Sequence, residues 1–296
     1  GALDLDRTRA FIKIQDGCQA FCAYCIVPLA RSVCRSLEPP GVLRLVAEAV
    51  DRGYREVVIC GIHLGHYGRE LDGVNLASVL RGIGAIGGQF RVRLSSIEPL
   101  EVTQELLEVI SSGDRFCPHL HLPLQSGSDR VLAAMGRPYH MADYARVVAR
   151  ARETLNNPAI TTDIMVGFPG ETEEDHRLTM EAIREIGFAR SHVFIYSPRP
   201  GTRAAGMPGR ITGPLGRSRS LEAREAGART AAAYRKTLIG TAEEVVVESD
   251  VEGAAEGFCR RYQRVRFHAG KVSPGEAVPV KIVGEDVDGV LEGRLA

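Results

Sequence analysis

The chain has 296 residues, enough for one large domain and one small one, and its 44% hydrophobic and 25% charged residues are an ordinary globular composition. Its 37 Lys/Arg balance 37 Asp/Glu, so net charge by itself argues for no polyanionic partner. No run approaches the roughly 18 apolar residues of a membrane-spanning helix, and no secretory leader opens the sequence, so a cytoplasmic protein with no membrane association is expected.

Strand-like and helix-like runs then alternate. Ala10–Gln15 reads as a strand. Pro39–Arg52 reads as a helix, with Val42, Leu45, Val46, Ala49 and Val50 at three- and four-residue spacings and Gly53 as its stop. Glu56–Gly61 is a strand, Asn75–Ile86 a helix, Arg91–Ser95 a strand. Thr103–Ile110 is a helix capped by Thr103, and His119–Leu124 a strand. Asp129–Met135 and Met141–Leu155 are helices, and Ile160–Gly167 is a strand. Thr172-Glu-Glu-Asp175 opens a helix to Ile186 like a capping box, and His192–Tyr196 is the last strand of the series. Six strands alternating with helices imply parallel βαβ units, closed into a barrel or an open part of one. Chemistry in such folds sits at the carboxyl ends of the strands.

The pattern changes after Tyr196. Ser197–Gly216 is a Pro-, Gly- and Arg-rich connector, and Leu215–Leu238 can form a basic helix. Ser197–Lys236 holds nine Lys/Arg against two Glu. From Glu243 come short β runs, Val245–Glu248, Phe258–Val265, Ala277–Val283 and Val290–Glu292, which predict a small β-barrel. Arg260, Arg261, Arg264 and Arg266 form a second cationic cluster there. Concentrated cations suit phosphate contacts; a solvated face is the other reading of each cluster. The expected division is 1–200, 201–238 and 239–296.

Cys18, Cys22 and Cys25 follow the first strand as C-x3-C-x2-C. Three thiolates on one loop can converge on one metal centre, and thiolate is the ligand of iron–sulfur clusters. Three ligands leave one iron of a four-iron cube without a protein ligand, and an open metal position binds substrate, as at catalytic zinc. A structural zinc usually takes four ligands, and the nearest fourth candidate is Cys34, nine residues beyond Cys25. Seven cysteines without an export signal favour metal chemistry over disulfides. Cys60 reads as core, and Cys117 and Cys259 have no partner by spacing.

Polar strings sit at the other strand ends. In Gly61-Ile-His-Leu-Gly-His-Tyr-Gly68 the glycines admit close approach to a ligand and His63 can donate a hydrogen bond or move a proton; a turn with an incidental histidine is the plain alternative. Ser95-Ser-Ile-Glu-Pro99 puts the Glu98 carboxylate at the mouth, to bind a ribose hydroxyl or an ammonium, or to make a salt bridge. Gln125, Ser126 and Ser128 are short polar groups after an apolar strand, Ser128 and Asp129 also suiting a helix cap. Asp163 lies inside a strand, where a carboxylate needs a partner. Gly167-Phe-Pro-Gly170 and Tyr196-Ser-Pro-Arg-Pro-Gly-Thr202 complete the set, with Arg199 and Arg203 as cations for a carboxylate or a phosphate.

The cysteine loop, with Tyr24 before its last cysteine, resembles that of radical S-adenosylmethionine (SAM) enzymes. Lys13-Ile-Gln-Asp-Gly-Cys18, Pro28-Leu-Ala-Arg31, the run His119 to Asp129, Met135-Gly-Arg-Pro-Tyr139 and the Tyr196 string extend the resemblance to the methylthiotransferases, over nearly the whole chain. The string Gly61 to Gly68 is most similar to the branch that acts on threonylcarbamoyladenosine in tRNA. The resemblance implies an α/β fold, a partial (β/α)6 radical SAM barrel followed by a small TRAM-like RNA-binding barrel. It implies one [4Fe–4S] cluster on Cys18, Cys22 and Cys25, with SAM chelating the open iron. SAM contacts would come from Tyr24, Gly61, His63, Ser96, Glu98, Gln125, Ser126, Asp163, Gly167, Phe168, Tyr196 and Arg199, and RNA contacts from Arg203, Arg260, Arg261, Arg264 and Arg266. No catalytic side chain beyond the cluster and SAM is implied. The implied reaction is methylthiolation at C2 of the modified adenosine in the tRNA anticodon stem-loop, with flavodoxin or ferredoxin as reductant.

Methylthiotransferases also carry an N-terminal domain with three cysteines for an auxiliary cluster, which this sequence does not include. The chain is therefore expected to bind and cleave SAM without completing methylthiolation. One departure from the family is Cys34, with no glycine at position 32. Isopentenyladenosine in tRNA, a ribosomal protein, or RNA binding without catalysis are the alternatives left open.

Overall fold

The computed structural model of the protein describes residues 8–251, 253–268, 270 and 272–296; residues 1–7 of the expected first domain lie outside them. The strands are β1 (Ala10–Asp16), β2 (Arg35–Ser36), β3 (Glu56–Gly61), β4 (Arg91–Leu94), β5 (His119–His121), β6 (Ala159–Val166) and β7 (Arg190–Ile195). The helices are α1 (Val27–Ala30), α2 (Pro39–Asp51), α3 (Leu76–Gly84), α4 (Gln104–Ser111), α5 (Asp129–Met135), α6 (Met141–Thr154), α7 (Glu173–Ile186) and α8 (Gly213–Lys236).

Helix starts follow their caps. Asn75 and Ser78 form a capping box for α3, Thr103 accepts from the Leu106 amide at α4, and Thr172 and Asp175 form the box of α7. Parallel pairing runs β1–β3–β4 and β5–β6–β7, with Ile12 beside Ile59, Ile59 beside Leu94, and Leu120 beside Ile160. Bridges at Val92–Phe116 and Ser96–His121 join β4 to β5, so six parallel strands form one open arc. Ile12, Ile14, Val57, Ile59, Val92, Leu94, Leu120 and Leu122 face outward and pack with Val46, Leu80, Leu107 and Val148 of the covering helices. Phe11, Val58, Arg93, His119, His121, Thr161 and His192 point the other way and line an internal cavity of about 200 Å3. Among the described residues no helix is long and apolar enough to cross a membrane.

Two strands differ from their sequence reading. The run His119–Leu124 stays in the sheet only to His121. Pro123 has no amide hydrogen to give, and the Tyr144 and Tyr139 hydroxyls donate to the Leu122 and Pro123 carbonyls at 2.9 Å each. The run Phe258–Val265 is two strand ends around a turn, in which Tyr262 takes a left-handed φ of 58°. The short elements α1 and β2 lay in a segment with no apolar period to reveal them. β2 pairs antiparallel with the end of β1, Gln15 opposite Ser36, and closes the cysteine loop on itself.

The C-terminal strands are β8 (Ala242–Val251), β9 (Ala254–Cys259), β10 (Arg264–His268), β11 (Ala277–Glu285) and β12 (Leu291–Leu295). They close into a five-stranded barrel in the order β10-β12-β11-β8-β9 around Val245, Val247, Val265, Phe267, Val280, Ile282 and Leu291. This barrel docks on the amino ends of the larger barrel's strands. Glu56 is fully buried there, accepting from Arg91 Nε at 2.7 Å and Arg93 Nε at 2.8 Å. Burial would push its carboxyl up, but the two guanidiniums hold it down at about 2. Arg91 and Arg93 also donate to the carbonyls of Glu244, Phe258, Cys259 and Arg260 at 2.6–3.1 Å. Tyr262 enters the lumen from below, its ring 5.0 Å from His119 and 4.8 Å from the Arg93 guanidinium.

Candidate active site

The cysteine loop leaves the carboxyl end of β1 and is shaped by its own backbone. The Cys18 amide donates to the Arg31 carbonyl at 3.0 Å. Position 17 must be glycine, because φ is 84° and a Cβ would stand 2.1 Å from the Val33 oxygen. Gln15 ties the loop to the next one: its Nε2 donates to the Asp16 and Gly17 carbonyls, and its Oε1 accepts from the His63 amide at 2.7 Å. All three cysteines are partly exposed and reduced.

Their electrostatics differ. Burial raises the Cys18 thiol, but His63 Nδ1 at 3.3 Å and the Ala20 amide outweigh it and bring it below its ordinary value. Burial pushes Cys25 up, and Cys22 and Cys18 add to that. Among the described residues the three sulfurs are not gathered within 4.8 Å of one another, as His63, His66 and Glu101 are.

One wall of the site is polar. Cys22, His63, His66, Glu98, Glu101 and Arg137 line a cavity of about 370 Å3. Arg137 is buried and donates to Cys22 Sγ at 3.4 Å and to Glu98 Oε1 at 3.1 Å, while its Nε reaches the Tyr139 hydroxyl at 3.2 Å. Glu101 Oε1 lies 2.7 Å from His63 Nε2 and 2.8 Å from His66 Nε2. Burial works against a charged His63, yet its bonds to Cys18 and Glu101 raise it to about 9; burial and the neighbouring His63 push His66 down to about 4.

An aromatic cluster packs beside the cysteine loop. Phe168, fully buried, meets Tyr196 edge-on at 5.6 Å, and both pack with Tyr24, Met135 and Met165. Gly167 has φ 74° and gives its amide to Glu171 Oε2 at 2.9 Å. The Tyr196 hydroxyl is buried with no partner. Arg199 and Arg203 are exposed nearby, Arg203 donating to the Ala134 carbonyl at 3.2 Å.

Other residues singled out in the sequence lie apart. Ser126 is buried against Thr179, Oγ to Oγ1 at 3.3 Å, and also accepts from the Ser128 amide. Gln125, at φ 69°, joins the strands through its backbone, donating to Asp163 and accepting from Met165. Asp163 is half-buried and faces His121 Nε2 at 3.4 Å, and Ser96 is exposed above the same lumen. At Gly61 a Cβ would crowd Leu64 Cα at 2.9 Å, so this glycine serves the turn that carries His63. Arg260 and Arg261 spend donors on the carbonyls of Phe116, Asn156 and Asn157 across the domain contact. Arg264 stays exposed and Arg266 partly exposed on β10, both paired with Glu256.

Residues 12–183 match the profile of the Radical SAM superfamily. The chain is 40% identical, over 98% of its length and 66% of the relative's, to the threonylcarbamoyladenosine tRNA methylthiotransferase MtaB of Thermotoga maritima. It is 37% identical to the tRNA-2-methylthio-N(6)-dimethylallyladenosine synthase of Moorella thermoacetica, over 97% of this chain and 68% of that one. The chain belongs to the radical SAM superfamily, among its tRNA methylthiotransferases. It spans about two thirds of the length of these curated relatives. Its fold is also that of the radical SAM methyltransferase TsrM of Kitasatospora setae, with a TM-score of 0.57 at 18% identity over 68% of this chain and 38% of that one.

A radical SAM chain carries a [4Fe–4S] cluster and SAM, and the donors present suit both. Three thiols on one loop are the ligand type an iron cluster takes. The Tyr196 hydroxyl beside Phe168 is buried without a hydrogen-bond partner. Sequence reasoning passed over Arg137, Glu101, His66 and Gln15. Arg137 and Gln15 lay inside family strings that were read for other residues. Glu101 carried no signal of its own, since only folding brings it to His63.

Proposed function

We propose that this radical SAM chain is the catalytic part of a tRNA methylthiotransferase acting at C2 of N6-threonylcarbamoyladenosine beside the anticodon. The observation that carries the proposal is the C-x3-C-x2-C loop standing against the Glu98–Arg137 pair in one cavity, in a chain 40% identical to an enzyme of that name. Cys18, Cys22 and Cys25 would hold a single cluster by three thiolates. Held there, such a cluster would supply one-electron reduction of SAM to methionine and a 5′-deoxyadenosyl radical, the chemistry needed at an unactivated C–H bond.

The chain's own residues bind and orient. Glu98, fixed by Arg137, offers a carboxylate to the SAM ammonium. Tyr24, Gly167, Phe168 and Tyr196 would hold the adenine, and Arg199 would meet a carboxylate or a phosphate. Ser96 and Asp163 line the path to the lumen. Holding reactants together and keeping water out then matter more than acid–base chemistry. Residues 1–200 make the catalytic barrel, 201–238 a basic connector with Arg203, and 239–296 a TRAM-like barrel that meets the anticodon stem-loop. A flavodoxin or ferredoxin would supply electrons, and a tRNA substrate places the work in the cytoplasm.

Anaerobic reconstitution with iron and sulfide, followed by dithionite and SAM, tests the proposal. The expected product is 5′-deoxyadenosine, without methylthiolated RNA, because Cys34, Cys60, Cys117 and Cys259 are dispersed and make no second triplet. A chain that holds its cluster yet makes no 5′-deoxyadenosine overturns it. The Moorella relative gives dimethylallyladenosine as a second reading, and stem-loops carrying each nucleoside would separate the two by affinity.

A further inference from the structure

We propose that His63, held by Glu101, donates a hydrogen bond to the Cys18 thiolate and raises the reduction potential of the cluster this thiolate ligates. The inference rests on Cys18 being a cluster ligand and assigns His63 a task on the protein's own sulfur instead of on SAM.

Both ring nitrogens of His63 face acceptors. Nδ1 lies 3.3 Å from Cys18 Sγ and Nε2 lies 2.7 Å from Glu101 Oε1. A ligating Cys18 thiolate can only accept, so Nδ1 is the donor in that contact, while Nε2 faces the Glu101 carboxylate. Three features fix the ring. The Gln15 amide oxygen takes the His63 backbone N–H at 2.7 Å. His66 stacks on the ring at 3.5 Å and 14°, with its own Nε2 2.8 Å from the same carboxylate oxygen. Position 65 has no room for a Cβ, which would fall 2.0 Å from Glu101 Oε2, so the carboxylate is pressed onto the turn.

The sign follows from charge. Reduction adds an electron to the cluster and its thiolates, and a donor or cation at a ligating sulfur stabilises that added charge. The neighbours of the ring are Cys18, Glu101 and His66, with Arg69 reaching Glu101 at 3.9 Å. Arg137 makes a similar approach to Cys22 at 3.4 Å, so two of the three sulfurs face a side-chain nitrogen donor.

Wild type, His63→Phe, Glu101→Gln and His66→Phe are reconstituted and assayed for iron. Each is then titrated with dithionite and mediators while the electron paramagnetic resonance signal of the reduced cluster is read. His63→Phe is expected to lower the ratio of reduced to oxidised cluster at fixed poise about tenfold, about 59 mV for one electron. Glu101→Gln should shift the same way by less, and His66→Phe, which keeps the stack, should stay near wild type. If His63→Phe loads no iron, Glu101→Gln decides. A fully loaded variant with the wild-type midpoint overturns the proposal and leaves the cluster itself standing. One divalent ion per chain beyond the cluster, lost in both Glu101→Gln and His66→Phe, also overturns it, because a metal on Nε2 would replace the hydrogen bond to Glu101. A wild-type chain that assembles no cluster at all overturns the site and this proposal together.

Discussion

The two ends of the large barrel are built from the same six strands and treat polar groups in opposite ways. At the amino ends Glu56, Arg91 and Arg93 are buried, and the donors of both arginines end on Glu56 or on carbonyls of the small barrel. At the carboxyl ends three thiols stay partly exposed, Glu98 stays half-buried beside a cavity, and the Tyr196 hydroxyl has no partner. Charge alone therefore does not mark function in this fold. The groups at the carboxyl ends differ in standing beside an open cavity, where those at the amino ends are closed in by the small barrel.

That contrast breaks most sharply by deleting one group at each end. Cys22→Ala should abolish cluster binding and SAM cleavage while leaving the unfolding midpoint near wild type, because the thiol supports little of the core. Glu56→Gln should do the reverse. Removing one partner of a buried ion pair costs roughly 3–5 kcal/mol, so its urea midpoint should fall while any folded fraction still binds iron. The Glu56 carboxyl is held at about 2, below its ordinary value. Its contribution is thus present above the ordinary carboxylate range and is lost as pH falls toward 2. Wild type should lose urea resistance between pH 4.5 and 2.5, and Glu56→Gln should show a flatter profile. Equal slopes would show that the docking end does not depend on this charge.

A smaller change sharpens the comparison at the open end. Glu98→Gln keeps the shape but removes a charge-assisted bond, worth about 1.5–3 kcal/mol. SAM binding by calorimetry should weaken roughly tenfold to a hundredfold, with iron content unchanged. An unchanged affinity would remove Glu98 from the ammonium site and leave it as a partner of Arg137.

Most of the large barrel was legible because its strands and helices carry their apolar periods openly and because Thr103 and Thr172 announce helix starts. The cysteine triplet was legible because its three thiols are local in sequence. The lid on the amino ends was not. Glu56, Arg91 and Arg93 look like ordinary polar residues near strand starts, and only the docked barrel makes sense of them. Tyr262 was hidden for the same reason: Phe258, Cys259 and Val265 around it imitate one continuous strand. His63 was legible as a site residue, but its place beside Cys18 was not, because that depends on a turn packed against Glu101, 38 residues away.

The smallest effect concerns the arginines of the small barrel, which one sequence cluster merged. Arg260 and Arg261 have side chains only 17% and 14% exposed and bonded across the domain contact, with Glu244 and Glu243 beside them. Arg264 and Arg266 are 57% and 40% exposed, but share Glu256, and Arg266 also meets Asp286. Four cations thus stand among four carboxylates, and the cluster carries no net excess toward a phosphate. The connector differs: Arg199, Arg203, Arg210, Arg217, Arg224 and Arg229 are all exposed. Each phosphate contact contributes roughly one unit to the slope of log affinity against log salt. Arg203→Gln with Arg210→Gln should flatten that slope for an anticodon stem-loop by up to about two. Arg264→Gln with Arg266→Gln should flatten it by less than one, because freeing Glu256 and Asp286 offsets what the arginines gave. The reverse order would put the larger share of the phosphate contacts on the strand face of the small barrel.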